Sequence, residues 1–356
     1  MPEPRPPSVL RQAALADVAR LAGVSAATAS RALAGRRTHP VAETTRRRVE
    51  LAAAELGYRP NPLARGLRAR RTSMIGVMVH DVRDPYFAEI VRGVTAEASR
   101  AGFLTMLCSS DRHPETELRY VDTLIDHRVA ALLFAGGGLR DRAYQRAIAE
   151  RAAGIRSYGG ALVALAPRVE RRPAEVTDDR GGARLATQHL VGLGHRRIAL
   201  VTGPDNVHTS RARAAGYLDC MRSARLAPVT ASGTFTPEAG AAAVGRLLDR
   251  GDRFTGLFVA SDTMAIGALA ELRRRGLDVP GDVSVVGFGD VPGWEFRPPP
   301  LTTVRSGLAQ IGAAGVRRAL AQLEGRDRPP RIRVHAVELV VRESAAAPAR
   351  PEPAAV

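Results

Sequence analysis

This chain of 356 residues contains arginine but no lysine, and its arginines are distributed unevenly along the sequence. The formal net charge is +16. Residues 1–73 hold 14 arginines against five acids, whereas the remaining 283 residues hold 38 arginines against 31 acids. Such a local excess is typical of a module that binds a polyanion. Heavy arginine usage in a GC-rich genome would explain the absence of lysine, but it would not explain this asymmetry.

The basic segment contains residues whose types suit contact with DNA. A helix that starts after Ser25 would present Ala26, Ala27 and, one turn later, Arg31. A helix in the major groove reads bases with side chains near its N-terminus, and an arginine can form two parallel hydrogen bonds to guanine. The two alanines offer only methyl contacts, or are simply good helix formers. Ser25 and Thr28 could donate to phosphate, although capping the helix is an equally good use of Ser25.

Three short helical patterns surround these residues. Apolar residues recur at helical spacing in three groups: Leu15, Val18, Ala19 and Ala22; Ala29, Ala32 and Leu33; and Val49, Ala52, Ala53 and Leu56. The first helix is expected to stop at Gly23 and the third at Gly57, and Ala42 is a poor cap for the start of the third. Two short helices joined by a tight turn with glycine predict a helix-turn-helix unit.

A further DNA-facing element is predicted just after this unit. Asn61 followed by Pro62 is a favourable helix start, and Leu63 and Leu67 follow at i, i+4 spacing among four arginines. The helix would be only about ten residues long and contains Gly66, so alone in water it should be marginal. We expect it to form when it pairs with its twin from a second subunit over DNA.

From residue 73 onward, short apolar runs alternate with segments of helical length. The runs cover residues 75–79, 104–108, 129–134, 198–201, 256–259 and 283–288, and a helix is predicted from Phe87 to Ala101. This alternation predicts parallel sheets with helices on both faces. Because there are too many runs for one lobe, we expect two doubly wound α/β lobes. A small molecule would bind in the cleft where their strands end.

Other classes of protein fit the sequence less well. His195 lies in a helix-to-strand turn, and no nucleophile–base arrangement or phosphate-binding loop occurs, so an enzyme is not predicted. Cys108 and Cys220 lack metal-ligand spacing and are expected to be reduced, buried thiols, and no cofactor is predicted. With neither a long apolar run nor a signal peptide, the sequence predicts a cytoplasmic protein rather than a membrane protein or a periplasmic sugar-binding protein.

Several ordered motifs resemble the LacI/GalR family of repressors. They are residues 15–33 of the headpiece, GYRPNPLA at 57–64, DPYF at 84–87, LGHRRI at 193–198, ASDTMA at 260–265 and PLTTV at 300–304. The resemblance covers roughly residues 13–343. It implies an all-α helix-turn-helix headpiece joined to a two-lobed, periplasmic-binding-protein-like domain. It also implies a homodimeric transcription repressor with a palindromic operator, with pairing of two dimers into a tetramer as an alternative. An effector would change DNA affinity by releasing or by tightening the complex.

The resemblance implies roles on the DNA side. Ala26, Ala27 and Arg31 face the bases, and Leu67 wedges into the minor groove at the operator centre, with simple linker packing as the alternative for Leu67. The predicted DNA-binding set is Ser25, Ala26, Ala27, Thr28, Arg31, Asn61, Ala64 and Leu67. The predicted domains are a disordered arm, 1–12; the DNA-binding domain, 13–59; the hinge, 60–71; the effector-binding and dimerisation domain, 72–343; and a loose tail, 344–356.

The resemblance also implies an effector site for a sugar or sugar derivative. Its predicted residues are Tyr86, Phe87, Thr209, Arg213, Phe235, Asp262 and Asp290. Phe235 would stack on the ring and Arg213 would donate to hydroxyls, with a structural salt bridge as the alternative for Arg213. Three residues depart from the family pattern: Gly289 replaces an aspartate, and Ser261 and Asp84 each replace an asparagine. Without a carboxylate at 289 a neutral sugar fits less well, so the alternatives are a sugar held by other residues, an anionic ligand matched to Arg213, or no effector at all.

Overall fold

The computed structural model describes residues 13–33, 41–58, 71–168, 173–327 and 331–349. The predicted arm and nearly all of the predicted hinge lie outside these ranges. The chain divides into two compact units, residues 1–69 and 70–356. In its described part the first unit contains three helices, α1 Leu15–Leu21, α2 Ala26–Leu33 and α3 Glu43–Glu55. These helices confirm the three predicted helical patterns.

The three helices of the first unit enclose a small core of short side chains. Its buried members are two valines and six alanines: Val18, Ala19, Ala22, Ala29, Ala32, Val49, Ala52 and Ala53. After α1 the chain turns at Gly23, whose φ of 60° is left-handed. The Ser25 hydroxyl then accepts a hydrogen bond from the Thr28 amide at 3.1 Å, which caps α2. The turn and the cap together set α2 across α1, as expected for a helix-turn-helix unit.

The second unit contains twelve strands in its described part. In chain order they are β1 Met74–Val79, β2 Leu104–Ser109, β3 Ala131–Phe134, β4 Ala161–Ala164, β5 Ala174–Thr177, β6 Ile198–Thr202, β7 Val229–Ser232, β8 Gly256–Val259, β9 Ser284–Gly289, β10 Thr302–Arg305, β11 Ile332–His335 and β12 Glu338–Val340. Lobe 1 holds the sheet β11-β5-β4-β3-β1-β2, which is parallel throughout. Lobe 2 holds the sheet β12-β10-β9-β8-β6-β7, in which only β12 runs antiparallel.

Helices connect these strands. They are α4 Pro85–Arg100, α5 Pro114–Asp126, α6 Arg142–Ser157, α7 Asp179–Gly192, α8 His208–Ser223, α9 Pro237–Asp249, α10 Asp262–Arg274 and α11 Leu308–Leu323, with a 3-10 turn at Trp294–Phe296. Four of them start at a side chain that accepts a hydrogen bond from a free amide of the first turn: Asp84, Asp141, Asp178 and Thr236.

The chain passes between the lobes three times: after β5, after β10 and between β11 and β12. After the second crossing, α11 returns to lobe 1 and packs along α4. Each lobe is therefore completed by a strand from the C-terminal part of the chain. The prediction of two doubly wound parallel sheets is confirmed.

The expected loose tail is packed against lobe 2 at its start, so this part of the prediction is wrong. Ser344 is fully buried, and its hydroxyl donates to the Val285 carbonyl at 2.6 Å. The Ala346 carbonyl lies 2.9 Å from Nε2 of the buried His195 ring. These bonds satisfy polar groups that would otherwise be buried without a partner, and they hold the segment in place.

Close contact between α4 and α11 generates a stability prediction. A Cβ added to Gly93 would lie 1.9 Å from the Ala309 carbonyl oxygen, so the two helix backbones must separate to admit it. We expect Gly93→Ala to lower the free energy of unfolding by about 1–3 kcal/mol. In Gly192→Ala, at the end of α7, the new methyl meets nothing within 4 Å. That control should be neutral or up to about 1 kcal/mol stabilising. Denaturant unfolding compares them, and equal stabilities would contradict the prediction.

Candidate functional site

A cavity lies between the two lobes, where their parallel strands end. Its volume is about 40 Å³, well below the roughly 300–1,000 Å³ usual for small-molecule sites, so the lobes must move apart to admit a ligand of that size. Lobe 1 contributes His80, Asp84, Tyr86, Phe87, Arg112, Ala135, Gly136, Gly137 and Ala166, and lobe 2 contributes Val207, Thr209, Arg213, Phe235 and Ser261. Most of these residues follow closely after a strand, which is where ligands bind in parallel sheets.

Five of the seven residues predicted for a small-molecule site line this cavity: Tyr86, Phe87, Thr209, Arg213 and Phe235. Tyr86 and Phe87 lie in the first turn of α4, and their rings meet edge to face with centroids 5.3 Å apart. Thr209 and Arg213 lie one turn apart on α8, and Phe235 follows β7. The structure therefore brings together aromatic and polar side chains from both lobes. Asp262 and Asp290, the other two, are not among the lining residues.

Arg213 both lines the cavity and forms a buried ion pair. Its Nε donates to Asp179 at 2.8 Å and its Nη1 donates to the Ala260 carbonyl at 2.6 Å, while the side chain is only 3% exposed. The guanidinium carbon lies 3.7 Å from the Phe288 ring centroid and 6.0 Å from that of Tyr86. The charge of Arg213 is thus balanced within the protein.

Asp262 is directed into the interior of lobe 2. Its Oδ1 accepts a hydrogen bond from the Thr303 hydroxyl at 2.6 Å, and its Oδ2 accepts one from the Val291 amide at 3.2 Å. Burial raises the pKa of this carboxyl to about 6, although both hydrogen bonds oppose the shift. Asp262 therefore ties the start of α10 to β10 and to the turn after β9.

Asp290 is held by two arginines. Its Oδ2 accepts from Arg305 Nε at 2.6 Å and its Oδ1 accepts from Arg342 Nη2 at 2.7 Å, and Arg305 also donates to Glu338. The backbone of Asp290 is left-handed, with a φ of 53°. It follows Gly289, whose φ of 140° is rarely adopted by residues with a side chain. This turn leaves both carboxylate oxygens of residue 290 bonded to arginines rather than free for a ligand.

Sequence reasoning missed two ionisable residues of the cavity wall, His80 and Arg112. His80 directly follows β1 and Arg112 lies three residues after β2. Carboxyl ends of adjacent parallel strands meet at one edge of a sheet. The positions of His80 and Arg112 soon after a strand could therefore have indicated that both residues lie at the cavity.

His80 is a neutral side chain packed behind the cavity. Its Nε2 lies 3.0 Å from the Gly137 carbonyl, and its ring meets Phe87 edge to face at 5.8 Å. Burial lowers the pKa of His80 to about 4, with a smaller lowering from nearby arginines and an opposing effect of Glu117. Glu117 itself accepts hydrogen bonds from Tyr144 and Arg168.

Further side-chain contacts cross the cleft besides that of Arg213 with the Tyr86 ring. The Thr263 hydroxyl of lobe 2 donates to Asp84 Oδ1 of lobe 1 at 2.8 Å. The Arg112 guanidinium of lobe 1 lies over the Phe235 ring of lobe 2, with 5.2 Å between its central carbon and the ring centroid. Burial raises the pKa of Asp84, while the hydrogen bond from Thr263 opposes this. The lobes are therefore in contact around the cavity.

The predicted base-reading positions lie on the outer face of the helix-turn-helix unit. Ser25, Ala26, Ala27 and Arg31 are exposed and Thr28 is half-buried. Arg31 donates to the Ala27 carbonyl at 3.3 Å and to the Thr28 hydroxyl at 3.4 Å. The hinge members of the predicted set lie outside the described residues: Asn61, Ala64 and Leu67.

Both units match known families. Residues 14–61 match bacterial regulatory proteins of the lacI family, and residues 187–345 match the periplasmic binding protein-like domain. The HTH-type transcriptional repressor CytR of Escherichia coli K12 is 34% identical over 337 residues, which cover 93% of this chain and 96% of CytR. This chain belongs to the LacI family. It is accordingly a DNA-binding transcriptional regulator and not an enzyme.

Solved structures of transcriptional regulators match this chain over most of its length. The Lac repressor dimer bound to operator and the anti-inducer ONPF has a TM-score of 0.82 and 28% identity, and the match covers 95% of this chain and 100% of the repressor chain. The complex of the regulator CelR with cellobiose has a TM-score of 0.68 and 32% identity, with coverage of 94% and 100%. Within the described ranges, no helix of this LacI-family chain is both long and apolar enough to cross a bilayer.

The buried, neutral His80 predicts a specific loss of stability in acid. Its pKa is about 4 in the folded chain and about 6.5 in an unfolded one. As the pH falls, the unfolded state therefore binds the proton first. The contribution of neutral His80 to the free energy of unfolding is fully present above about pH 6.5 and decreases towards pH 4. At pH 5 it is smaller by about 2 kcal/mol.

We therefore expect the free energy of unfolding of the parent protein to fall by about 2 kcal/mol more than that of His80→Gln between pH 7.5 and pH 5. Denaturant unfolding at both pH values measures this. The difference between the two proteins at pH 7.5, where the imidazole is neutral in both states, serves as the baseline. Parallel pH profiles would show that burial does not lower this pKa.

Proposed function

We propose that this LacI-family chain represses transcription as a homodimer on a palindromic operator, and that a small molecule in the cleft controls its binding to DNA. The observation that carries the proposal is an exposed helix-turn-helix face and a two-lobed cavity in one chain that matches the repressor CytR over nearly its whole length. Similarity to the Lac repressor dimer bound to operator and anti-inducer supports both parts. A regulator of this kind works in the cytoplasm, where its operator is.

On the DNA side, Ala26, Ala27 and Arg31 contact bases, and Ser25 and Thr28 contact phosphate. Arg31 supports this assignment because its two hydrogen bonds within α2 are long, at 3.3 and 3.4 Å. Such weak bonds are easily exchanged for a bidentate contact to guanine. The small, exposed alanines allow the start of α2 to approach the base edges closely.

The hinge completes the DNA-binding surface. We assign residues 60–71 to a helix that forms over DNA, with Asn61 and Ala64 facing the duplex and Leu67 inserted into the minor groove. The division of the chain near residue 70 supports separate DNA-binding and effector-binding domains on either side of this hinge. A short helix containing glycine gains its stability from such a docked partner.

Selection of binding sites from randomised duplex DNA tests the proposal. The full-length protein should enrich an inverted repeat, since a two-fold dimer reads two equal half-sites. Arg31→Ala should lose the preference at one base pair of each half-site and weaken binding to the selected site by about 1–3 kcal/mol. The control Arg222→Ala, in the last turn of α8, should behave as the parent. Recovery of no inverted repeat would refute the proposal.

The edge of the lobe 1 sheet supports dimerisation. β2 is an edge strand, and its Leu104 and Leu107 are 73% and 43% exposed. An apolar groove beside the strand is lined by Leu107, Val82 and the α4 residue Val91. A long apolar edge is a template for a second chain. We assign this surface to the second subunit.

The corresponding edge of lobe 2 is better protected. Arg246 of α9 and Arg250, directly after it, donate to the carbonyls of Ser232 and Thr230 on β7, at 2.5 and 3.3 Å. Charged side chains on an edge strand disfavour pairing with another chain. This contrast favours the β2 edge over the β7 edge as the site of strand-to-strand contact.

Substitution of the β2 edge tests the assignment. Leu107→Arg should shift the protein towards monomers in sedimentation velocity, because it introduces like charges across a two-fold interface. It should also weaken operator binding. Leu185→Arg on α7 is the matched control because its leucine is similarly exposed, at 38%, and it should remain dimeric. Two variants with the same association state would contradict the assignment.

In the cleft, we assign Tyr86, Phe87, Thr209, Arg213 and Phe235 to the effector, which we infer to be a sugar or sugar derivative. Aromatic rings beside hydrogen-bond donors suit such ligands, and the similar regulator CelR was solved with cellobiose. The predicted effector residues Asp262 and Asp290 would act indirectly, through the hydrogen bonds that shape the lobe 2 wall.

A further inference from the structure

The cavity wall is richer in hydrogen-bond donors than in acceptors. Arg112 has five N–H donors, and none donates a hydrogen bond to the described residues. The hydroxyls of Thr209 and Ser261 also lack a hydrogen-bond partner there, although Ser261 is only 7% exposed. Asp84 is the only carboxylate among the described lining residues; its Oδ1 accepts two hydrogen bonds, and its Oδ2 lies 3.8 Å from Arg112 Nη2. A ligand that fits this wall must bring acceptors.

The positive charge of Arg112 is the least compensated of the cavity arginines. Arg213 donates to Asp179, and Arg168 behind the wall donates to Glu117, each at 2.8 Å. The nearest carboxylate oxygen to Arg112 is 3.8 Å away, beyond hydrogen-bond distance. Burial lowers the pKa of Arg112, since its charge is partly removed from water. A bound anion would supply the missing partner.

The facing wall of lobe 2 adds to this positive field. Helix α8 starts at Val207, which provides no side-chain cap, and its first turn contains no acidic residue. The N-terminal end of a helix favours negative charge. Burial and then the charges of Arg140 and Arg211 lower the pKa of His208 in that first turn. Both sides of the cleft therefore favour an anion.

We propose that the effector carries an anionic group, a carboxylate or a phosphate, that binds between Arg112 of lobe 1 and Thr209 at the start of α8 in lobe 2. The proposal rests on the proposed function of the cleft. Because Arg112 lies over Phe235, the rest of the ligand packs beside that ring. The ligand class is then an acidic or phosphorylated sugar rather than a neutral one. Arg112 is the residue that selects it.

Thermal unfolding of the full-length protein without DNA tests this proposal. The probes are inorganic phosphate, acetate, glucose, glucuronate and glucose 6-phosphate, at one ionic strength set with sodium chloride. We expect at least one of the anions to raise the Tm above that in chloride, and glucose to do so less than its anionic relatives. Phosphate and acetate distinguish the two kinds of anionic group.

Arg112→Gln should abolish this rise, or weaken binding about tenfold to 100-fold by calorimetry, because the charge-assisted hydrogen bonds are lost. Arg222→Gln removes one exposed arginine from the last turn of α8 and should respond as the parent does. A Tm of Arg112→Gln in chloride close to that of the parent shows that the variant folds.

Three results would overturn the proposal. They are no stabilisation of the parent by any of these anions, an equal rise in Arg112→Gln, which indicates anion binding elsewhere, or a preference for glucose. Binding of parent and variant to the selected operator is measured in parallel. If the parent protein does not bind the selected operator, the proposed function is contradicted. The thermal measurement tests only ligand binding in the cleft.

Discussion

The buried ion pair between Arg213 and Asp179 is the interaction on which the cleft depends. Asp179 begins α7 directly after the first crossing from lobe 1, and Arg213 reaches from α8 to the Ala260 carbonyl at the end of β8. The guanidinium also covers the Phe288 ring of β9. Removing one partner would leave a charge buried without compensation, which typically costs about 3–5 kcal/mol. The structure therefore shows the salt bridge of Arg213 and its position in the cavity wall, and its contact with a ligand stays a prediction.

Some of the predicted strands can be recognised from their own residues. Residues 75–79 and 198–201 are rich in branched apolar side chains, and β1 and β6 lie there. β4, Ala161–Ala164, is half alanine and takes its form from burial between neighbouring strands. β5 contains the buried Glu175, which would not be expected in a strand interior. Its charge is balanced by Arg318, which lies 143 residues further along the chain. Such a strand cannot be recognised locally, because its compensating partner is distant in sequence.

The same distinction separates the cavity residues that were predicted from those that were not. Tyr86, Phe87 and Phe235 follow from motif position, and the structure has them in the wall. Asp290 does not line the cavity, because the direction of its side chain depends on a left-handed backbone and on Arg342, a partner 52 residues later. Arg112 was visible as a residue soon after a strand. That it has no hydrogen-bond partner among the described residues is revealed only by the folded arrangement.

Several polar contacts between the lobes are individually weak, and this suits a regulator. They include the hydrogen bond from Thr263 to Asp84, the packing of Arg112 over Phe235 and a backbone bridge between residues 139 and 207. Contacts of these kinds are each worth about 1 kcal/mol. A ligand that touches both lobes can therefore shift the balance through its preference for one state. Asp84 is central to that balance, because its carboxylate caps α4, accepts the hydrogen bond from lobe 2 and lies nearest to Arg112. In the proposed anion site, a group that draws Arg112 away from Asp84 would change the charge at the point where the lobes meet and would so couple ligand chemistry to closure.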